Sequence, residues 1–177
     1  IQDAINAASD GDEVHVLPGI YTGTGNRDID FHGKSIKVRS VDGPDDTIID
    51  CEGSSSDPHR AFIFQNGETS EALVEGFSIT NGYAYLTGGG IYITGASPTI
   101  VNNIFLENSA PDAYGGALYI RGPSTTLVSG NQFLQNEATN GSAIRVFECS
   151  TSVIISNNTF DGNFGNDSNV IQINTVE

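Results

Sequence analysis

Two short motifs recur in phase along the chain, and they constrain the fold more than any other feature. The first reads Gly88-Gly89-Gly90-Ile91, then Gly115-Gly116-Ala117-Leu118, then Gly141-Ser142-Ala143-Ile144, in steps of 27 and 26 residues. The second, F-x-x-N, reads Phe105 to Asn108, Phe133 to Asn136 and Phe160 to Asn163, in steps of 28 and 27. The motifs alternate, so each repeat carries one of each, and a fixed period of this length is the signature of stacked units. Within a repeat, Ile91 and Ile93 flank Tyr92, Leu118 and Ile120 flank Tyr119, and Ile144 and Val146 flank Arg145. This alternation is that of a strand with aliphatics on one face and Tyr, Tyr and Arg on the other. A second strand follows, with Ile100, Val128 and Ile155 in equivalent places.

Equivalent strands run the same way one repeat apart, so they are parallel, and parallel strands need a long crossover. The crossover here holds more strands and no helical pattern. The economical solution is a solenoid with one coil per repeat, right-handed as parallel crossovers almost always are. The expected fold is therefore all-β, a right-handed parallel β-helix of about six coils. At a strand spacing near 4.8 Å it forms a rod on the order of 30 Å.

Earlier residues fit the period with weaker motifs. Ala61 to Phe64 falls nearly one coil before the first glycine motif, and Ala72 to Asn81 resembles the second strand. Strands are expected at Glu13 to Val16, Ser35 to Ser40 and Thr47 to Cys51. Ile1, Ala4, Ile5 and Ala8 form a helical apolar stripe, read as a helix over residues 1–8 that covers the first coil. Residues 9–87 then form irregular coils and 88–177 regular ones, all within one domain of 177 residues. Val170 to Val176 reads as the start of another coil. With no Met in the sequence, Ile1 is not an initiator, and a segment of a larger secreted protein is expected.

Composition agrees. Gly supplies 21 residues and Asn sixteen, the corner chemistry of such a coil. Seven basic against 22 acidic residues leave a net charge of −15. That balance excludes a nucleic-acid partner and docking on anionic lipid, and no apolar run is long enough to insert in a membrane.

Most rows of like residues read as structure. Stacked Phe105, Phe133 and Phe160 belong to the core. The rows Asn103, Asn131, Asn158 and Asn108, Asn136, Asn163 hydrogen-bond along the rod. The glycine motifs lack the Lys of a phosphate loop and are small residues at a corner. Cys51 and Cys149, 98 residues apart, sit at different points of their coils and are expected to be free thiols.

The alternating G-G-[AG]-[IL] and F-x-x-N repeats over 88–163 resemble those of the chlamydial polymorphic outer-membrane proteins, with Gly141 to Ile144 departing by Ser142. The opening Ile1 to Tyr21 resembles the start of many pectin-lyase-like β-helices. The resemblance implies an extracellular or cell-surface structural or adhesive module with no catalytic residues. The last coil, read without a cap, adds the expectation of assembly into filaments, and the outward wall of Tyr92, Tyr119 and Arg145 that of glycan binding. The pectin-lyase-like group also contains polysaccharide lyases and uronate epimerases, so a carbohydrate-active enzyme is the alternative.

Alternation places Tyr92, Tyr119 and Arg145 outward on one wall, with Thr94, Arg121 and Phe147 one pleat further on. None of these six is a carboxylate, which counts against hydrolysis there. Arg121 and Arg145, diagonal neighbours beside Tyr92 and Tyr119, are the candidate site for an acidic sugar. Asp57-Pro58-His59 resembles the D-P-H motif of mannuronate epimerases and also reads as a polar turn. No cofactor and no metal site is expected, although the acidic turns Asp42 to Asp46 and Asp161 to Asp167 could hold structural calcium. Expected partners are further coils of the same polypeptide, a second copy, or a polysaccharide.

Overall fold

A residue in left-handed backbone turns the first corner of each regular coil. Gly76, Asn102, Gly130 and Asn157 all have positive φ at this corner, between 56° and 80° where they bound the range. Gly adopts this conformation freely and Asn more readily than other L-residues. The abundance of these two residues therefore has a positional cause.

The computed structural model describes residues 1–167 and 169–174. Helix α1 (Gln2–Ala7) precedes six coils. The first comprises β1 (Glu13–Val16), β2 (Gly19–Tyr21) and β3 (Ile29–Asp30); the second, β4 (Lys37–Ser40), β5 (Thr47–Asp50) and β6 (Phe62–Phe64). The third comprises β7 (Leu73–Glu75), β8 (Ser78–Thr80) and β9 (Ile91–Thr94). The fourth adds an extra strand: β10 (Thr99–Val101), β11 (Ile104–Leu106), β12 (Ser109–Tyr114) and β13 (Leu118–Arg121). The fifth repeats it with β14 (Leu127–Ser129), β15 (Gln132–Leu134), β16 (Glu137–Asn140) and β17 (Ile144–Phe147). The sixth comprises β18 (Ile154–Ser156), β19 (Thr159–Asp161) and β20 (Ile171–Asn174).

Like strands stack into three six-stranded sheets, and every pairing between them is parallel, as in β13 with β9 and β17. The architecture is the all-β parallel solenoid expected, with its small N-terminal helix. The side ladder β12–β16 was not legible in the motifs. Thr175 and Val176, part of the expected further coil, lie outside the described residues, whereas Ile171–Asn174 forms β20 on β17.

Aliphatics and Phe fill one continuous core. Phe105, Phe133 and Phe160 stack face to face, with centroids 4.8 and 5.1 Å apart. Helix α1 closes the first coil with Ile5 fully buried, and Ile1 and Ala8 pack beside it. Ala4 is exposed instead, so the buried stripe is narrower than its sequence spacing implied. Lys34 Nζ donates to the carbonyls of Ile5, Asn6 and Ala8, satisfying acceptors at the helix C-terminus.

Both asparagine rows run as hydrogen-bonded ladders. Asn103 Oδ1 accepts the Phe77 N–H at 2.9 Å, and Asn131 Oδ1 accepts the Asn103 N–H at 3.0 Å. Asn136 Oδ1 likewise accepts the Asn108 N–H at 3.0 Å. The glycine motif packs equally tightly. A Cβ on Gly116 would lie 2.2 Å from the Ser142 carbonyl oxygen, and one on Gly89 would lie 2.3 Å from that of Gly116. Cys51 and Cys149 are free and buried.

Candidate functional site

The corner between the second and third sheets is the longest in every coil. Two residues suffice at the first corner of most coils, but 51–61, 81–90 and 107–117 are extended excursions at this one. Stacked one above another, they form a wall beside the outer face of the third sheet. Chemistry concentrates there because the long loops at this corner carry side chains over the sheet face.

The floor of that face is a single ladder. Strand register places Ile63, Tyr92, Tyr119, Arg145 and Gln172 side by side on successive coils. The three outward residues read from the sequence are thus together, and the Tyr92 and Tyr119 rings stack 5.8 Å apart, 2° from parallel. Arg121 pairs with Phe147 in register, one pleat along, so it is diagonal to Arg145 as expected.

Accessibility differs from the expectation. Tyr119 is 5% exposed and Arg145 6%. Tyr114, from β12, and Phe147 cover them, with the Arg145 guanidinium 5.3 and 5.2 Å from their ring centroids. Alternation identifies the face of a strand but not what a neighbouring excursion lays over it. Burial raises the Tyr119 phenol above its ordinary value, with Arg121 opposing. Arg121 is exposed and held by Glu148, its Nη2 2.9 Å and Nε 3.1 Å from Oε2. That hydrogen bond raises the guanidinium further.

Nearer the N-terminus the same face opens into a groove of about 440 Å³. Ile63, Gln65 and Tyr92 line its floor, with Pro58, Arg60 and Asp28 on one side and Tyr85, Leu86 and Thr87 on the other. Arg60 lies 5.3 Å from the Tyr92 ring centroid and donates through Nη1 to the Thr87 carbonyl at 2.8 Å. Burial lowers its guanidinium, with the Asp28 carboxylate opposing. Leu86 is 75% exposed, and Tyr85, tethered by its hydroxyl to the Ser55 carbonyl, is half exposed.

Asp57, Pro58 and His59 stand at the edge of this groove. His59 Nδ1 is 2.5 Å from Asp28 Oδ2, and its Nε2 is 3.1 Å from Asp57 Oδ1. Asp28 holds a left-handed backbone at φ 52° and also accepts the Arg60 N–H. Arg27 reaches the Cys51 carbonyl and Glu52, both at 3.2 Å. An imidazole between two carboxylates can hold a proton and pass it on. A second cavity, of about 580 Å³, lies on the far side of Asp28 and His59.

Sequence reasoning missed Arg27, Asp28, Arg60 and Tyr85. The readable signal was the long interval between Cys51 and Ala61, an excursion in the coil that must project beside its neighbours. The seven basic residues divide unevenly. Lys34 caps α1, while Lys37 and Arg39 pair with Glu13 and Glu75 on the first sheet. Arg27, Arg60, Arg121 and Arg145 all belong to the third-sheet side. Among the described residues, no three His, Cys, Asp or Glu side chains converge as metal ligands, the acidic turns included.

A family model described as a right-handed β-helix region matches residues 22–176. No curated protein and no solved structure matches the chain.

Proposed function

The chain belongs to the right-handed β-helix family, and from that premise we propose that it is an extracellular or cell-surface module that binds an acidic polysaccharide without catalysis. The observation carrying this reading is the distribution of arginines. In a chain of net charge −15, four of seven basic residues gather beside one face. One of them, Arg60, lines a groove there with Tyr92 on its floor and Tyr85 on its wall. Aromatic faces suit sugar rings, and guanidinium groups suit uronate carboxylates. The groove volume falls within the usual range for ligand sites. The likeness of the repeats to those of chlamydial outer-membrane proteins supports the surface location. Ile154 and Ile173 on the sixth coil are more than half exposed, an apolar surface that supports contact with a second copy.

Titration with trigalacturonate and trimannuronate, followed by tyrosine fluorescence, tests the reading, since the chain has no Trp. A saturable change that a neutral trisaccharide does not produce, and that Tyr92→Ala weakens, is expected. An unchanged signal at millimolar oligouronate would remove the binding role.

The Asp57–His59–Asp28 arrangement favours a second reading, uronate lyase or epimerase chemistry, with His59 moving the proton alpha to the carboxylate. Release of unsaturated products from pectate, or epimerised residues in polymannuronate, lost in His59→Ala, would establish it in place of the first.

A further inference from the structure

We infer that Arg145 is the floor of a carboxylate-binding pocket, distinct from the open groove and two coils beyond it. Arg145 is 6% exposed, yet its Nε and Nη1 are buried without a hydrogen-bond partner. Among the described residues no carboxylate pairs with it, although the chain carries 22 acidic side chains. The nearest guanidinium, Arg121, holds Glu148 for itself. A buried charge without a counterion is strongly disfavoured, and buried donors left open are rare in native proteins.

The Arg145 side chain borders a small cavity of about 80 Å³ walled by Tyr114, Tyr119 and Phe147. The aromatic faces stabilise the cation but accept none of its in-plane N–H bonds. Gln172 Oε1, next to Arg145 in register, is also buried and unpartnered. A turn of its amide toward Arg145 would satisfy one donor and leave the charge uncompensated. The cavity is too small for a sugar ring, at roughly the volume of two to three liquid waters. A planar carboxylate fits, taking two parallel N–H bonds from one edge of the guanidinium, Nη2 with either Nε or Nη1.

The ligand is therefore a single carboxylate, either a free small monoanion or the carboxylate of a uronate whose ring stays outside, beside the half-exposed Tyr114. Only this second source rests on the glycan reading. Nitrogen-15 spectra of the Arg145 Nε–H, recorded while sodium acetate is added at constant ionic strength, test the pocket directly. Expected is a saturable shift with half-saturation on the order of 10 mM, a rise in Tm, and no response to sodium chloride. Arg145→Lys, which keeps the charge but loses the fork, should weaken the Tm response about tenfold. Arg145→Met should abolish it while folding at least as well in anion-free buffer, because a buried charge is gone.

Trigalacturonate separates the sources. If it and acetate both move Arg145, a sugar carboxylate can enter. If acetate alone does, the pocket serves a free anion. Quenching of tyrosine by trigalacturonate with Arg145 unmoved by either probe would overturn the pocket and leave the groove reading standing. An Arg145 signal indifferent to acetate, or equally responsive to chloride, would leave only water in the cavity and overturn the inference.

Discussion

Asn131 Oδ1 accepts both the backbone N–H of Asn103, at 3.0 Å, and its side-chain amide, at 3.2 Å. Asn131 in turn donates to the Ile100 carbonyl at 2.9 Å. One buried side chain thus satisfies donors on the preceding coil and an acceptor beneath it, away from water. Asn131→Leu keeps the volume but orphans these groups, each worth about 1–3 kcal/mol when buried and unpaired. We expect a loss of about 3 kcal/mol by urea denaturation. Asn158→Leu, on the half-buried last rung, should cost about half as much. Equal losses would show that the ladder does not stabilise through burial.

Gly116 illustrates a second constraint on the repeat. Its Cβ position lies 2.2 Å from the Ser142 carbonyl oxygen, a backbone atom held by the next coil. Gly95 has positive φ, but nothing lies within 4 Å of its Cβ position. Gly116→Ala therefore forces two coils apart, whereas Gly95→Ala meets only local backbone strain of about 1–2 kcal/mol. Gly116→Ala should lose more than twice the stability of Gly95→Ala in the same denaturant series.

These two positions also show what a single sequence can convey. The period, the parallel pairing, the phenylalanine stack and the asparagine ladders were legible because each follows from one residue recurring at one place. Ser142 departs from the repeat at the equivalent of Gly116, and its N–H and hydroxyl both reach the Asn169 carbonyl instead. The ladder of Tyr92, Tyr119 and Arg145 was legible for the same reason as the core. Its covering was not, because Tyr114 lies in β12, a strand whose place in the preceding coil is taken by an irregular excursion bridged to it only at Tyr83 and Thr87. Nor was the approach of Asp28 to His59, 31 residues apart, which depends on how a long loop folds back.

Arg60 joins the floor of the groove to its wall, through Tyr92 on one side and Thr87 on the other. If the groove holds an oligouronate, Arg60→Ala removes a charge-assisted contact and loosens the wall. Affinity should fall about tenfold, as expected for the loss of one such bond of about 1.5 kcal/mol. Binding to the unaltered chain should also weaken with salt, because the ligand is attracted by charge. Calorimetric titration at two salt concentrations would read both effects. A salt-independent affinity unaffected by Arg60→Ala would place the ligand elsewhere.

Cys51 carries a prediction about pH. Its thiol is fully buried, and burial raises its pKa well above the ordinary value, with Asp50 and Asp28 adding to the effect. Arg27 and Arg60 oppose it. The native state thus keeps the proton while the unfolded chain releases it above its ordinary pKa of 9.0. Above that point the unfolded state binds fewer protons, so stability must fall as pH rises. The contribution is intact below about pH 9 and declines above it, by at most about 1.4 kcal/mol per pH unit for one group. Burial raises Cys149 as well, so some decline should survive removal of either thiol. Urea denaturation at pH 8, 9 and 10 should show Cys51→Ala flattening the decline relative to the unaltered chain. The native thiol should also resist a disulfide reagent until the coils open. Rapid modification of Cys51 in the native state, or an unchanged slope in Cys51→Ala, would mean that this part of the second coil opens to solvent far more readily than its packing implies.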